Sequence, residues 1–147
     1  NRGFDWIITP ASQAIVETAP THGASGNKAL RVLFRGPRIQ FQNLRQHLML
    51  DPGNYLFRGR VRPQRLEATE GVRWSIYCHD QTTPLVSSET FIGTDHWKHF
   101  SVPVEIPRHD CPVQTIRLEL AGRSALDFEA KGAVWFDDLS IARQRID

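Results

Sequence analysis

The side chains able to do chemistry in this chain are arginines, scattered carboxylates, six histidines and two cysteines. Nucleophilic catalysis needs a nucleophile beside a base, and glycoside cleavage needs two carboxylates facing across a cleft. Neither pattern stands out. No GxSxG, HExxH, P-loop or GxGxxG motif occurs. Glu67, Glu70 and Glu89 fall on loops or strand edges without an evident partner. The sequence predicts no enzymatic activity. His96 and His99 have HxxH spacing near Asp95, but on a strand they point to opposite faces and make a poor metal pair. His47, His79 and His109 are scattered. Cys78 and Cys111 belong to no clustered ligand pattern, so zinc is not expected. By themselves they read equally as two small buried hydrophobes or as one disulfide.

The elements that must position these groups are strands. Tyr55, Phe57, Gly59 and Val61 alternate with Leu56, Arg58, Arg60 and Arg62. Trp74, Ile76 and Cys78 alternate with Arg73, Ser75, Tyr77 and His79. Phe100, Val102, Val104 and Ile106 form a third register. Ile116, Leu118 and Leu120 alternate with Arg117 and Glu119. This period of two gives each run one core face and one polar face. Gly/Pro/Asn/Asp turns separate the runs, notably Asp51-Pro52-Gly53 and Glu70-Gly71. The reading gives about ten strands, near 4–8, 14–19, 29–35, 41–50, 54–66, 72–79, 85–92, 97–106, 114–121 and 133–142. The segment 41–50 would also suit a helix. Pro63, Pro103 and Pro107 should mark edges, bulges or strand ends. Trp74 shares parity with core residues, and the ordinary burial of tryptophan assigns Trp6, Trp97 and Trp135 to the core as well. The parity of 134–141 flips after Phe136, which implies a bulge at Asp137-Asp138.

The chain has 147 residues, enough for one domain with a sizeable core. Hydrophobic residues make up 40% and charged residues 23%, which excludes a disordered chain. Net charge is only +2, and a nucleic-acid partner for the Arg58–Arg65 stripe needs a one-signed surface, which Glu67, Glu70, Glu89 and Glu119 oppose, so none is expected. No apolar run approaches the ~20 residues of a membrane helix, and no membrane contact is expected. Only Lys28, Lys98 and Lys131 among the 18 basic residues are lysine. The chain starts at Asn1, which reads as a piece of a larger protein whose other domains are candidate partners.

Several segments now line up in order. They are Phe4-Asp5-Trp6, His22-Gly23 through Arg31-Val32, Asp51-Pro52-Gly53-Asn54-Tyr55 with Leu56–Val61, Trp97-Lys98-His99-Phe100 with Val102-Pro103, Ile116–Leu120, and Trp135 through Ile141. Together they resemble the galactose-binding-like jelly rolls, especially the non-catalytic carbohydrate-binding modules attached to xylanases and glucanases. The arrangement also resembles a sandwich domain found beside helical repeats in exported bacterial proteins. The resemblance implies an all-β jelly-roll sandwich of two antiparallel sheets, in a periplasmic or extracellular protein with a Cys78–Cys111 disulfide. It implies a structural calcium held by an aspartate of the Asp137-Asp138 pair, with further oxygens from Asn1–Asp5 or the Thr21–Lys28 turn, whereas the residues alone read equally as a capped bulge with no metal and no cofactor is required. It implies binding of an extended glycan, a polysaccharide chain, across one sheet face.

A pyranose offers a C–H face to an aromatic ring and hydroxyls to planar bidentate groups. If the polar registers share one sheet, Arg60, Arg73, Tyr77, Arg117 and Glu119 are the expected contacts. The plainer reading is a solvated face laced with Arg–Glu pairs. The face lacks an evident pair of platform aromatics. The alternative function is a structural or protein–protein interaction domain of a larger exported protein.

Overall fold

The computed structural model describes residues 7–8, 14–20, 28–36, 44–122 and 130–144. Ten strands are present among the described residues: β1 (Ile7–Ile8), β2 (Ala14–Pro20), β3 (Lys28–Gly36), β4 (Leu44–Leu48), β5 (Gly53–Ala68), β6 (Val72–Cys78), β7 (Val86–Ser87), β8 (Lys98–Ile106), β9 (Gln114–Leu120) and β10 (Ala130–Arg143). They form two five-stranded sheets, one in the order β1-β4-β9-β6-β7 and the other in the order β2-β3-β10-β5-β8. Every strand pairing is antiparallel. This is the expected all-β jelly-roll sandwich. No helix occurs among the described residues.

The core lies between the sheets because each long strand alternates. Along β8, Phe100, Val102, Val104 and Ile106 are buried while Ser101, Pro103 and Glu105 are exposed. Phe57, Trp74, Phe91, Phe100 and Phe136 meet edge to face, with Trp74 and Phe136 ring centroids 4.9 Å apart. Such contacts add ~0.5–1.5 kcal/mol each to what burial contributes. Trp74 is 1% exposed, as its parity requires.

The parity flip on β10 is a bulge. Asp137 pairs with Arg60 and Ser140 with Arg58, so β10 carries one extra residue there. Asp138 takes φ 53° to accommodate it. A second irregularity lies between Lys131 and Ala133, where β5 carries the extra residue. Arg65 turns to φ 48°, and Gly132 sits opposite at φ 97°, where a Cβ would overlap the Arg65 carbonyl. Pro103 lies on β8, at the edge of its sheet, and Pro107 just follows that strand.

Two expectations change and one holds. The strand expected at 85–92 shrinks to Val86–Ser87, because the Trp74 amide donates to the Ser88 hydroxyl (2.9 Å) in place of a backbone carbonyl. The chain then continues through single bridges, Val72 to Phe91 and Leu66 to Gly93. The 41–50 segment is a strand over Leu44–Leu48. Trp97 and Trp135 are half-buried rather than in the core. Each instead lies under a guanidinium, Arg60 at 5.8 Å and Arg31 at 5.5 Å from the ring centroid. Trp6 lies outside the described residues.

Candidate functional site

The outer face of the β1-β4-β9-β6-β7 sheet gathers four of the five expected contact residues. Antiparallel register places Arg73 opposite Glu119, Ser75 opposite Arg117 and Tyr77 opposite Thr115. Glu119 sits at the centre. Its Oε1 accepts from the Tyr77 hydroxyl (2.6 Å) and Arg117 Nε (3.1 Å). Its Oε2 accepts from Arg73 Nε (3.0 Å) and the Ser75 hydroxyl (2.9 Å). Since that hydroxyl has one hydrogen, Ser87 is the donor in the 2.8 Å Ser75–Ser87 bond. The Arg117 guanidinium lies 4.1 Å from the Tyr77 ring centroid, a cation–π contact.

The electrostatics follow from this crowding. Burial opposes ionisation of Glu119, yet hydrogen bonds from Tyr77, Ser75, Arg117 and Arg73 outweigh it and hold the carboxyl below its ordinary value. Burial raises the Tyr77 phenol, and the adjacent Glu119 carboxylate raises it further, against the pull of Arg117. Burial works against the charge of Arg117, but bonds to Glu119 and Tyr77 overcome it and the guanidinium is held more firmly charged. Glu119 is therefore a fixed acceptor, unable to donate a proton at neutral pH. Cys78 offers no nucleophile, because it is bonded to Cys111.

Beside the network is a shallow depression of about 270 Å³, lined by Arg45, His47, Tyr77, His79, Asp80, Gln81, Thr115 and Arg117. The two imidazoles pack edge to face with centroids 5.0 Å apart. Both Nδ1 atoms lie near the Thr115 hydroxyl, His47 at 3.1 Å and His79 at 3.3 Å. Sequence reasoning left these histidines scattered. Their shared outward parity was the available signal, but only the β4-β9-β6 order brings His47 and His79 together across Thr115. The end of this face is anchored. The Cys78–Cys111 disulfide spans Cα atoms 5.1 Å apart, and the His79 amide donates to the Val113 carbonyl. Fully buried Gln114 accepts from the Leu50 amide and donates to the Cys111 carbonyl, both at 2.8 Å.

Arg60 does not join this group. It lies on β5 in the other sheet, together with Arg58 and Arg62, so the polar registers do not share one face. A larger groove of about 900 Å³ runs beside it, lined in part by Arg58, Arg60, Glu89, His99, Asp138 and Ser140. Asp137 is buried next to that groove. Its Oδ1 accepts from the Asp138 amide (2.8 Å), and its Oδ2 has no hydrogen-bond partner among the described residues. A buried carboxylate oxygen of this kind fits a hard cation such as calcium. Residues 1–5 and 21–27, expected to supply further oxygens, lie outside the described residues. Among the described residues, no three His, Cys, Asp or Glu side chains cluster as a metal site. His96 and His99 are both exposed.

No family model matches the chain. No curated protein matches it in sequence. Solved structures do match its fold. A CBM4 carbohydrate-binding module superposes with a TM-score of 0.63 at 17% identity, covering 95% of this chain and 86% of that one. The CBM22-1 xylan-binding domain of Paenibacillus barcinonensis Xyn10C gives 0.61 at 13% identity, covering 99% and 91%. The Stig cyclase Fisc from Fischerella sp. TAU gives 0.64 at 16% identity, covering 99% and 89%. At these identities the likeness establishes a carbohydrate-binding-module-like jelly roll, a fold that hosts both binding and catalysis.

Proposed function

We propose that this chain is a non-catalytic module that binds an extended glycan on the outer face of the β1-β4-β9-β6-β7 sheet. The observation carrying this reading is the Glu119-centred network. It fixes Tyr77, Arg73 and Arg117 in one geometry beside an open depression, and pre-ordered polar groups lower the cost of binding a hydroxylated ligand. The similar xylan-binding domain supports a glycan as the ligand class. The similar cyclase raises an enzymatic reading. Against it stand a carboxylate saturated by four donors and the pairing of both cysteines in a disulfide.

The test is affinity electrophoresis of the intact chain against a panel of soluble polysaccharides, with Arg117→Ala and His47→Ala variants alongside. Retention on at least one polysaccharide, weakened in both variants, is the expected result. No retention on any polysaccharide would overturn the reading. The disulfide suits an oxidising compartment, and we place the protein in the periplasm or outside the cell. Asp137 with Asp138 is the proposed calcium position. Calcium found by elemental analysis, with a melting temperature lowered by chelator, is the expected result.

A further inference from the structure

We infer that the chain has a second saccharide site, in the groove on the outer face of the opposite sheet, and so holds two polysaccharide chains at once. The pairing of two sites rests on the glycan-binding reading above, while the groove stands on its own geometry. β5 lies between β8 and β10 and sets its outward residues in cross-strand rows. Arg58 has Ser101 on one side and Ser140 on the other. Arg60, two residues along, has His99 on one side and the bulge at Asp137 on the other. The groove over these rows holds about 900 Å³, against about 270 Å³ for the depression beside Tyr77 and Arg117. Small-molecule sites span ~300–1,000 Å³.

The hydrogen-bonding capacity of this groove is left open. Among the described residues, the side chains of Arg58, His99, Ser101 and Ser140 have no hydrogen-bond or ion-pair partner. The Nε of Arg60 is buried and equally unmet, and a buried polar group without a partner calls for one. The bulge brings Asp138, at φ 53°, to the groove wall. Bulges commonly redirect a side chain in this way beside functional sites. Both signs of charge line the groove, Arg58 and Arg60 against Glu89 and Asp138, which disfavours a polyanion. The lining instead mixes donors, acceptors and hydroxyls that do both. A neutral sugar presents the same mixture, and Leu56 and Leu139 add apolar surface for its C–H faces. The two sheets pack back to back about 10 Å apart, so their outer faces point away from each other. One polysaccharide on each face makes the module a cross-link, with an avidity that neither site has alone.

The experiment is affinity electrophoresis of the intact chain in soluble arabinoxylan, mixed-linkage β-glucan, galactomannan and hydroxyethyl cellulose, with Arg58→Ala, Arg117→Ala and the double variant alongside. The viscosity of each polymer solution with and without protein is measured in parallel. Arg58 is exposed, so Arg58→Ala should melt at the temperature of the parent. Retention of the parent on at least one polymer is expected, weakened about tenfold by Arg58→Ala, since charged hydrogen bonds contribute at this scale. Retention should persist in part in Arg117→Ala and vanish in the double variant. The parent should thicken the retaining polymer, and neither single variant should. Retention of Arg58→Ala equal to that of the parent would overturn the second site and leave the glycan reading standing. Complete loss of retention in Arg117→Ala alone would do the same. Loss in Arg58→Ala with Arg117→Ala unchanged would overturn the two-chain inference together with the glycan reading of the β6 and β9 face. Retention on none of the four polymers overturns the inference too, and the broader polysaccharide panel then decides the glycan reading.

Discussion

The two outer faces of the sandwich use the same residue types in different ways. On the sheet holding β6 and β9, two arginines, a tyrosine and one serine converge on Glu119. On the sheet holding β5 and β10, arginines settle into separate pairs. Arg31 bonds Glu17 at 2.6 Å and lies over Trp135, Arg60 lies over Trp97, and Arg143 lies over Tyr55 while bonding its hydroxyl. The difference comes from strand neighbours. Glu119 on inner strand β9 collects three donors from the neighbouring β6 and one from its own strand, whereas Glu17 on edge strand β2 pairs with Arg31 of β3. The first arrangement makes a rigid polar surface, and the second shields hydrophobic rings with long side chains.

This contrast can be broken most strongly at the disulfide. Replacing Cys78 and Cys111 with serine opens a 33-residue separation and should cost ~3–4 kcal/mol by loop entropy. Denaturant unfolding would measure the loss. Hydrogen exchange should rise first at β6 and β9, with β5 and β10 still protected. Uniform loss across both sheets would contradict the idea that the bond secures one face.

Glu119→Ala comes next. Breaking a buried pair costs ~3–5 kcal/mol, but Arg73 and Arg117 are 32% and 30% exposed, so water compensates in part. We expect about 2 kcal/mol. The matching change on the other face, Glu17→Ala, should cost no more than ~1 kcal/mol, because both partners are substantially exposed. Equal losses at the two sites would erase the distinction between network and isolated pair.

Acid should act through the same carboxylate. Glu119 is held below its ordinary value of 4.5 in the folded state. Its contribution is thus fully present above that value and is lost as pH falls through the lower, folded one. Glu119→Gln should flatten the acid limb of a stability-against-pH curve. Tyr77 is raised above 10.0, so its contribution is present below that pH and lost as pH rises through the folded value. Tyr77→Phe removes one hydrogen bond to the carboxylate and should cost ~1–2 kcal/mol by thermal denaturation. It should also remove the part of the alkaline loss that Tyr77 causes.

Much of the fold was legible because alternation is a local property. The Trp74-Ile76-Cys78 and Ile116-Leu118-Leu120 registers, and the bulge after Phe136, all follow from the parity of adjacent residues. The tryptophans were less legible. Trp97 and Trp135 were assigned by the average behaviour of their residue type, and their arginine neighbours come from other strands. The strand at 85–92 was overextended because the Ser88 hydroxyl, a side chain, ended the ladder.

The candidate site divides along the same line. Sequence alone determined that Arg60, Arg73, Tyr77, Arg117 and Glu119 point outward, since side-chain direction in a strand is set every second residue. Which sheet each strand joins was decided only by tertiary structure, because strand order depends on long-range pairing that leaves no local periodicity. That pairing put Arg60 on the opposite face and set Glu119 among four donors. It also brought His47 and His79 to one threonine.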